Sequence, residues 1–282
     1  MHFFKVHLSS RKPPLKYSIK LLIPIILLSV ILFNIILYHY SLQENIKENV
    51  SGIEDDYVKN VLEGYISRNM QGLSYNICGY SVQGKPVYYY TMGKGEICVL
   101  IIGGLHGDEP KGTYACLELI EYLSKNENLT SKYNFIIIPL CNPDGAKEFK
   151  RRNYNNVDLN RDFYTKSQPE TSAIINLFHK RKPIILIDVH ESQDSMPIII
   201  YANNSKSSHL ASFISLQNNI PALLAANVGQ SANFAEKENI YGIILELPRS
   251  SWKYGNGTII LFNIIETLDL YISKEYKTLS IN

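Results

Sequence analysis

The sequence predicts an α/β domain, a mostly parallel mixed sheet sandwiched by helices, preceded by one transmembrane helix. Three observations carry that expectation. Continuous β-branched runs such as CVLII, FIII, IILIDV and GIILEL have the pattern of strands buried on both faces. Helix-period segments fall between those runs, and strand alternating with helix argues for a sheet covered on both sides. Near the N-terminus, LLIPIILLSVILFNIILY runs from Leu21 to Tyr38 without a charge, about the length that crosses a bilayer.

Taken in order, residues 1–20 form a basic segment carrying Lys5, Arg11, Lys12, Lys16 and Lys20. Those five bases and no acid precede residue 41, so the first 40 residues carry +5 and the rest −3 of the net +2. Bases before the apolar run, and Glu44, Glu48, Glu54, Asp55 and Asp56 after it, put the N-terminus in the cytoplasm and the remainder outside. A cleaved signal peptide would have a shorter apolar region followed by small residues, yet Ala115 is the first alanine. Residues 21–40 are therefore expected to anchor the chain in the cell membrane. Residues 41–72 are polar and charged and look like a stalk, and 73–282 form the folded domain. Its expected strands are 76–82, 86–92, 98–102, 134–140, 184–189, 197–201 and 242–246. Its expected helices are 113–124, 169–180, 207–218, 231–237 and 258–271. A basic face concentrated enough for nucleic acid is lacking.

The four cysteines, Cys78, Cys98, Cys116 and Cys141, form no CxxC pattern. Export would permit disulfides, whereas the apolar runs around Cys98, Cys116 and Cys141 favour buried free thiols. Of the seven histidines, His2, His7 and His39 fall before or at the edge of the membrane run. His179 closes a helix and His209 opens one, both ordinary surface positions. His106 and His190 differ. The run CVLIIGGLHGDEP passes from a buried strand into a glycine-rich turn, on which His106 and Glu109 face the same way. His190 ends the strand ILIDVH. Two imidazoles and a carboxylate at neighbouring strand ends can fill three tetrahedral positions on zinc and leave the fourth for water. The turn is neither HExxH nor HxxEH, because Pro110 follows the glutamate.

The segments GYSVQGKPV, GGLHGDEPKG, NPDG, RRNYNNVDLNRDF, QPETSAI, DVHES and ILELP, between about Cys78 and Pro248, resemble the zinc carboxypeptidase family, and in its order. The resemblance implies one Zn2+ per chain on His106, Glu109 and His190. It implies Glu246 as the catalytic glutamate, and a carboxylate ending a buried apolar strand suits general base work. Arg151 matches the arginine that polarises the scissile carbonyl, with Arg152 beside it as the one-residue alternative. Asn160 and Arg161 match the pair that holds the substrate's terminal carboxylate, and Asp158 the acid that orients a zinc histidine. Two features depart from carboxypeptidase A-like members. PALLAANVGQSANF, ahead of Glu246, contains no tyrosine, and only 36 residues follow Glu246. Both resemble the compact bacterial branch that cleaves γ-D-glutamyl–diaminopimelate bonds, so the implied partner is a peptide, with peptidoglycan stem peptides favoured by the tether. Two other readings are a zinc deacylase of the aspartoacylase/succinylglutamate desuccinylase type and an inactive peptide-binding module. NPDG, QPET and ELP speak against the first, and the intact ligands and Glu246 against the second.

The charge asymmetry about Leu21–Tyr38 makes a topological prediction. Protease added outside spheroplasts should digest the chain beyond Ser41. Cleavage that appears only after lysis, with the folded state controlled for, would reverse the orientation.

Overall fold

The computed structural model describes residues 73–225, 229–249 and 255–279, the last stretch with side chains from 257 to 275. The expected basic segment, the anchor Leu21–Tyr38 and the stalk 41–72 lie outside the described residues. Among the described residues no helix is long and apolar enough to cross a membrane.

Eight described strands form one mixed sheet: β1 Tyr75–Tyr80, β2 Pro86–Met92, β3 Ile97–Gly103, β4 Tyr133–Ile138, β5 Ile185–Ser192, β6 Ile198–Tyr201, β7 Ala222–Leu224 and β8 Tyr241–Pro248. Their order across the sheet is β1-β2-β4-β3-β5-β8-β6-β7. The centre is parallel: β4 with β3, β3 with β5 and β5 with β8, and β6 pairs β7 the same way. Antiparallel pairs β1–β2, β2–β4 and β6–β8 extend the sheet on either side. The helices are α1 Pro110–Ser124, α2 Glu127–Lys132, α3 Pro143–Lys147, α4 Pro169–Arg181, α5 Ser205–Asn218, α6 Ser231–Lys237 and α7 Gly255–Leu279.

Strand alternation builds two cores. Val99, Ile101, Ile185, Ile187, Val189, Ile243 and Leu245 face α1, α5 and α7. Cys98, Leu100, Ile102, Leu186 and Ile244 face α4 and α6 on the other side. Both faces are covered, which is why the central strands carry no polar alternation. Each such side chain contributes about 1.5–3 kcal/mol by leaving water. All four cysteines are free thiols, and Cys98, Cys116 and Cys141 are buried.

The chain leaves β3, crosses by α1 on one face and returns at β4. It then crosses by α4 on the other face and returns at β5, on the opposite side of β3. The connections part at β3, so the crevice beyond the carboxyl ends of β3 and β5 is the topological switch point.

Helix α1 sits so close to β5 that a Cβ on Gly112 would lie 2.3 Å from the Val189 carbonyl oxygen. Glycine is needed there for contact between two backbones. Gly112→Ala should therefore push the helix off the strand and cost about 1–3 kcal/mol of stability. An unchanged denaturation midpoint would show that this contact is slack.

Candidate active site

The first ligand loop is fixed by backbone before any side chain acts. Gly104 takes φ +61° just past β3. Cys141 N–H donates to Gly103 O and Asn142 N–H to Gly104 O, tying the loops after β3 and β4 together. Asn142 accepts from Gly145 N–H at 2.9 Å, capping α3, and donates from Nδ2 to Leu105 O at 3.3 Å. A Cβ on Gly107 would lie 2.1 Å from the Gly145 carbonyl carbon, so the turn rests on the NPDG backbone. Glu109 is the N-cap of α1 and Pro110 its first residue. Proline costs nothing there, because the first amide of a helix has no intrahelical partner.

On this frame His106, Glu109 and His190 are all buried and offer one donor atom each within 4.8 Å of one another. His106 Nδ1 lies 2.7 Å from Glu109 Oε1, and His190 Nδ1 lies 2.8 Å from Glu109 Oε2. The two Nδ1 atoms are 3.0 Å apart. The far nitrogens are held by carboxylates. Asp158 Oδ1 is 3.0 Å from His106 Nε2, and Asp188 Oδ2 is 2.9 Å from His190 Nε2. A carboxylate accepts from Nε2–H, so each Nδ1 faces the common point and offers its lone pair there once it is deprotonated. Two imidazoles and one carboxylate, each imidazole braced in this way, fit a zinc ion with an open position.

Burial works to raise the Glu109 pKa, but His190 and His106 outweigh it and hold the carboxyl well below its usual value. Asp158 is likewise held low by His106 and Arg151 against burial. Burial works to lower the His190 pKa, but Asp188 and Glu109 outweigh it and keep the imidazole protonated well above its usual range. Any metal must displace that proton.

Glu246 is placed by strand register: it is the parallel partner of His190 across β5 and β8. Its carboxyl is half-buried, and desolvation raises its pKa, assisted by Glu109 and Asp188 and opposed by His190. Arg151 reaches the same centre, with Nη1 3.0 Å from Glu109 Oε1 and Nε 3.1 Å from Asp158 Oδ2. Arg152 turns to Asn156 O instead, so Arg151 is the arginine that the fold brings to the ligands. Asn160 and Arg161 lie on a 3-10 turn, Leu159–Arg161, whose N-cap is Asp158. Arg161 is exposed and donates to Asn160 O at 2.6 Å. Asn160 is buried, with Oδ1 accepting from Ser231 N–H at 3.0 Å and Nδ2 3.2 Å from His190 Nε2.

Sequence reasoning passed over Asp188, which is fully buried and also accepts from Ser231 Oγ at 2.5 Å. The signal was present: in a strand, residues two apart share a face, so an acid at −2 from a ligand histidine can reach it. His179 and His209 take no part in the site.

Fold and donor set together define a single-metal centre at the switch point of an α/β sheet, with a glutamate one strand away. The chain belongs to the zinc carboxypeptidase family, whose family model matches residues 59–264. That family is one of zinc-dependent hydrolases. Over 148 residues the chain is 30% identical to Carboxypeptidase 2 of Trichophyton rubrum, covering 46% of this chain and 28% of that protein. The match thus spans less than a third of that relative's length. A metallo-carboxypeptidase from Burkholderia cenocepacia superposes with a TM-score of 0.65 at 16% identity, covering 78% of this chain and 69% of that one. Murein-tripeptide amidase MpaA from Escherichia coli O157 gives 0.54 at 21% identity, covering 69% of this chain and 91% of that one. At these identities the structural likeness speaks for the fold.

Full-length protein should bind about one zinc per chain. His106→Ala or His190→Ala should lose it, while His179→Ala and His209→Ala keep it. Zinc must displace the His190 proton, so its affinity should fall as pH drops, with proton release on binding. Full zinc occupancy in His190→Ala would overturn the ligand set, and a pH-independent affinity would contradict the protonated imidazole.

Proposed function

We propose that the protein is a membrane-anchored zinc metallocarboxypeptidase acting outside the cell on cell-wall stem peptides. The observation that carries the hydrolytic part is the in-register pairing of Glu246 with His190, beside the convergent His106–Glu109–His190 donors. Zinc held by those donors would supply a Lewis acid for the scissile carbonyl and lower the pKa of a bound water.

The chain's own residues then divide the work. Glu246, with its raised pKa, is suited to take a proton from the attacking water and pass it to the leaving amine. Arg151 has its guanidinium beside Glu109, where it can face the negative charge that grows on the carbonyl oxygen. Arg161 offers an exposed guanidinium to a substrate carboxylate. Asp158 and Asp188 hold the two imidazoles in one tautomer. Asn160 accepts from the Ser231 amide through Oδ1 and so ties the 3-10 turn to the start of α6.

The finer reading rests on different grounds. The uncharged run Leu21–Tyr38 and the charges flanking it support the tether and an extracellular domain. PALLAANVGQSANF, which carries no tyrosine ahead of Glu246, supports a stem-peptide substrate, and so does the fold likeness to a murein-tripeptide amidase.

Kinetics on defined muropeptides and on ordinary peptides, free and C-terminally amidated, separate the roles. Glu246→Gln should keep zinc and fold while kcat falls about 10²–10⁴-fold. In the unsubstituted protein the acid limb of the activity profile marks the raised Glu246 pKa: activity requires the carboxylate and is lost as pH falls through that pKa. Arg151→Ala should lower kcat, because an oxyanion exists only in the transition state. Arg161→Ala should raise KM, with a smaller penalty on amidated peptide. If amidation leaves that penalty unchanged, Arg161 does not read a terminal carboxylate, and an endopeptidase or deacylase reading takes precedence.

A further inference from the structure

The face of the sheet opposite His190 carries a second set of charges, Glu191 and Lys111 buried and Arg249 partly so, that the proposed chemistry does not use. Glu191 follows His190, so its side chain points to the other side of β5, towards the first turn of α1. There Glu191 Oε2 accepts from Lys111 N–H at 3.1 Å and Oε1 from Arg249 Nε at 3.0 Å. Lys111, itself buried, donates from Nζ to Pro248 O at 2.5 Å and to Arg249 O at 3.2 Å. Arg249 Nη2 donates to Asp108 O at 2.7 Å. Glu191 N–H donates to Glu109 Oε2 at 3.2 Å, the oxygen that also faces His190 Nδ1.

These contacts close a ring through three chain segments: the loop bearing His106 and Glu109, the strand end bearing His190, and the strand end three residues beyond Glu246. Buried charges are a poor route to stability, because apolar packing of the same volume does as well or better. What a fully bonded set of charges does well is hold its partners in one arrangement. A carboxylate at a helix N-terminus is also favoured by the helix dipole, which fixes Glu191 on α1 in particular.

Resting on the metallopeptidase reading, we propose that Glu191 is a positioning residue. Through Lys111 and Arg249 it sets the spacing between the ligand Glu109 and the base Glu246, and through its own amide it orients the Glu109 carboxylate. The effect is transmitted to the metal and to the chemical step, and substrate grip is left alone.

The test uses full-length protein and three readouts: zinc affinity by chelator competition, kcat and KM on peptide, and thermal midpoint. Glu191→Ala should weaken zinc binding about tenfold or more and lower kcat with KM nearly unchanged. Glu191→Gln, which keeps one acceptor, should fall between Glu191→Ala and the unsubstituted protein. Arg249→Ala should act in the same direction, and the Glu191→Ala/Arg249→Ala double should cost no more than Glu191→Ala alone, since both break one ring. Should Glu191→Ala not fold, Arg249→Ala carries the test, because its side chain is 35% exposed. Folded variants with a lowered midpoint but zinc affinity within about twofold and unchanged kcat would overturn the inference, since Glu191 then stabilises the fold without orienting Glu109. No zinc binding by the unsubstituted protein would overturn the metallopeptidase reading, and this inference with it.

Discussion

Parallel pairing of β5 with β3 on one side and β8 on the other decides where every reactive group sits. The register sets His190 opposite Glu246, and the β3–β5 pairing brings Gly103 opposite Val189. The glycine-rich turn that follows β3 then has a short path back to His190. Because side chains alternate, the same strand that turns Asp188 and His190 towards the metal donors turns Val189 and Glu191 towards α1. A slip of one residue in either pairing would exchange those faces and dissolve the site.

The second constraint is the cost of keeping so many ionisable groups away from water. Glu109, Asp188, Glu191 and both histidines are buried. Each has a partner of opposite character within hydrogen-bond reach, so no charge in the set stands alone. One atom departs from that rule: Asp188 Oδ1 has no partner, while Oδ2 takes both His190 and Ser231. Stability therefore depends on protonation here, because a group neutralised by acid leaves its neighbour uncompensated. Glu109 and Asp158, with carboxyl pKa values held low, stabilise the fold above their ordinary values and cease to as pH falls through the lowered ones.

The sheet's central strands were legible because burial on both faces forces an apolar run, which a single sequence displays. Helix α6 came out with its bounds intact, and α4 within one residue. The three-residue β7 and the short helices α2 and α3 were not legible, because they bury too little to leave a period. Helix α1 starts at Pro110, three residues before the expectation, because proline opens a helix at a position whose amide has no intrahelical partner and the apolar period begins only after it. The grouping of His106, Glu109 and His190 could be argued from strand ends alone. Asp188 needed only the two-residue period. Glu191, Lys111 and Arg249 were beyond reach, because their ring closes between segments up to 141 residues apart.

The carboxylates behind the two imidazoles have a consequence for how the protein acquires its metal. In small zinc domains the ion must order the chain, and apoprotein is unfolded. Here both rings are held in rotation by Asp158 and Asp188, on a sheet whose strands are joined by backbone pairing. The direction of each ring is set by hydrogen bonds of the fold itself. Metal binding then competes with protonation of His190 and has little chain to organise. Such a centre is expected to release and take up its metal with the fold intact.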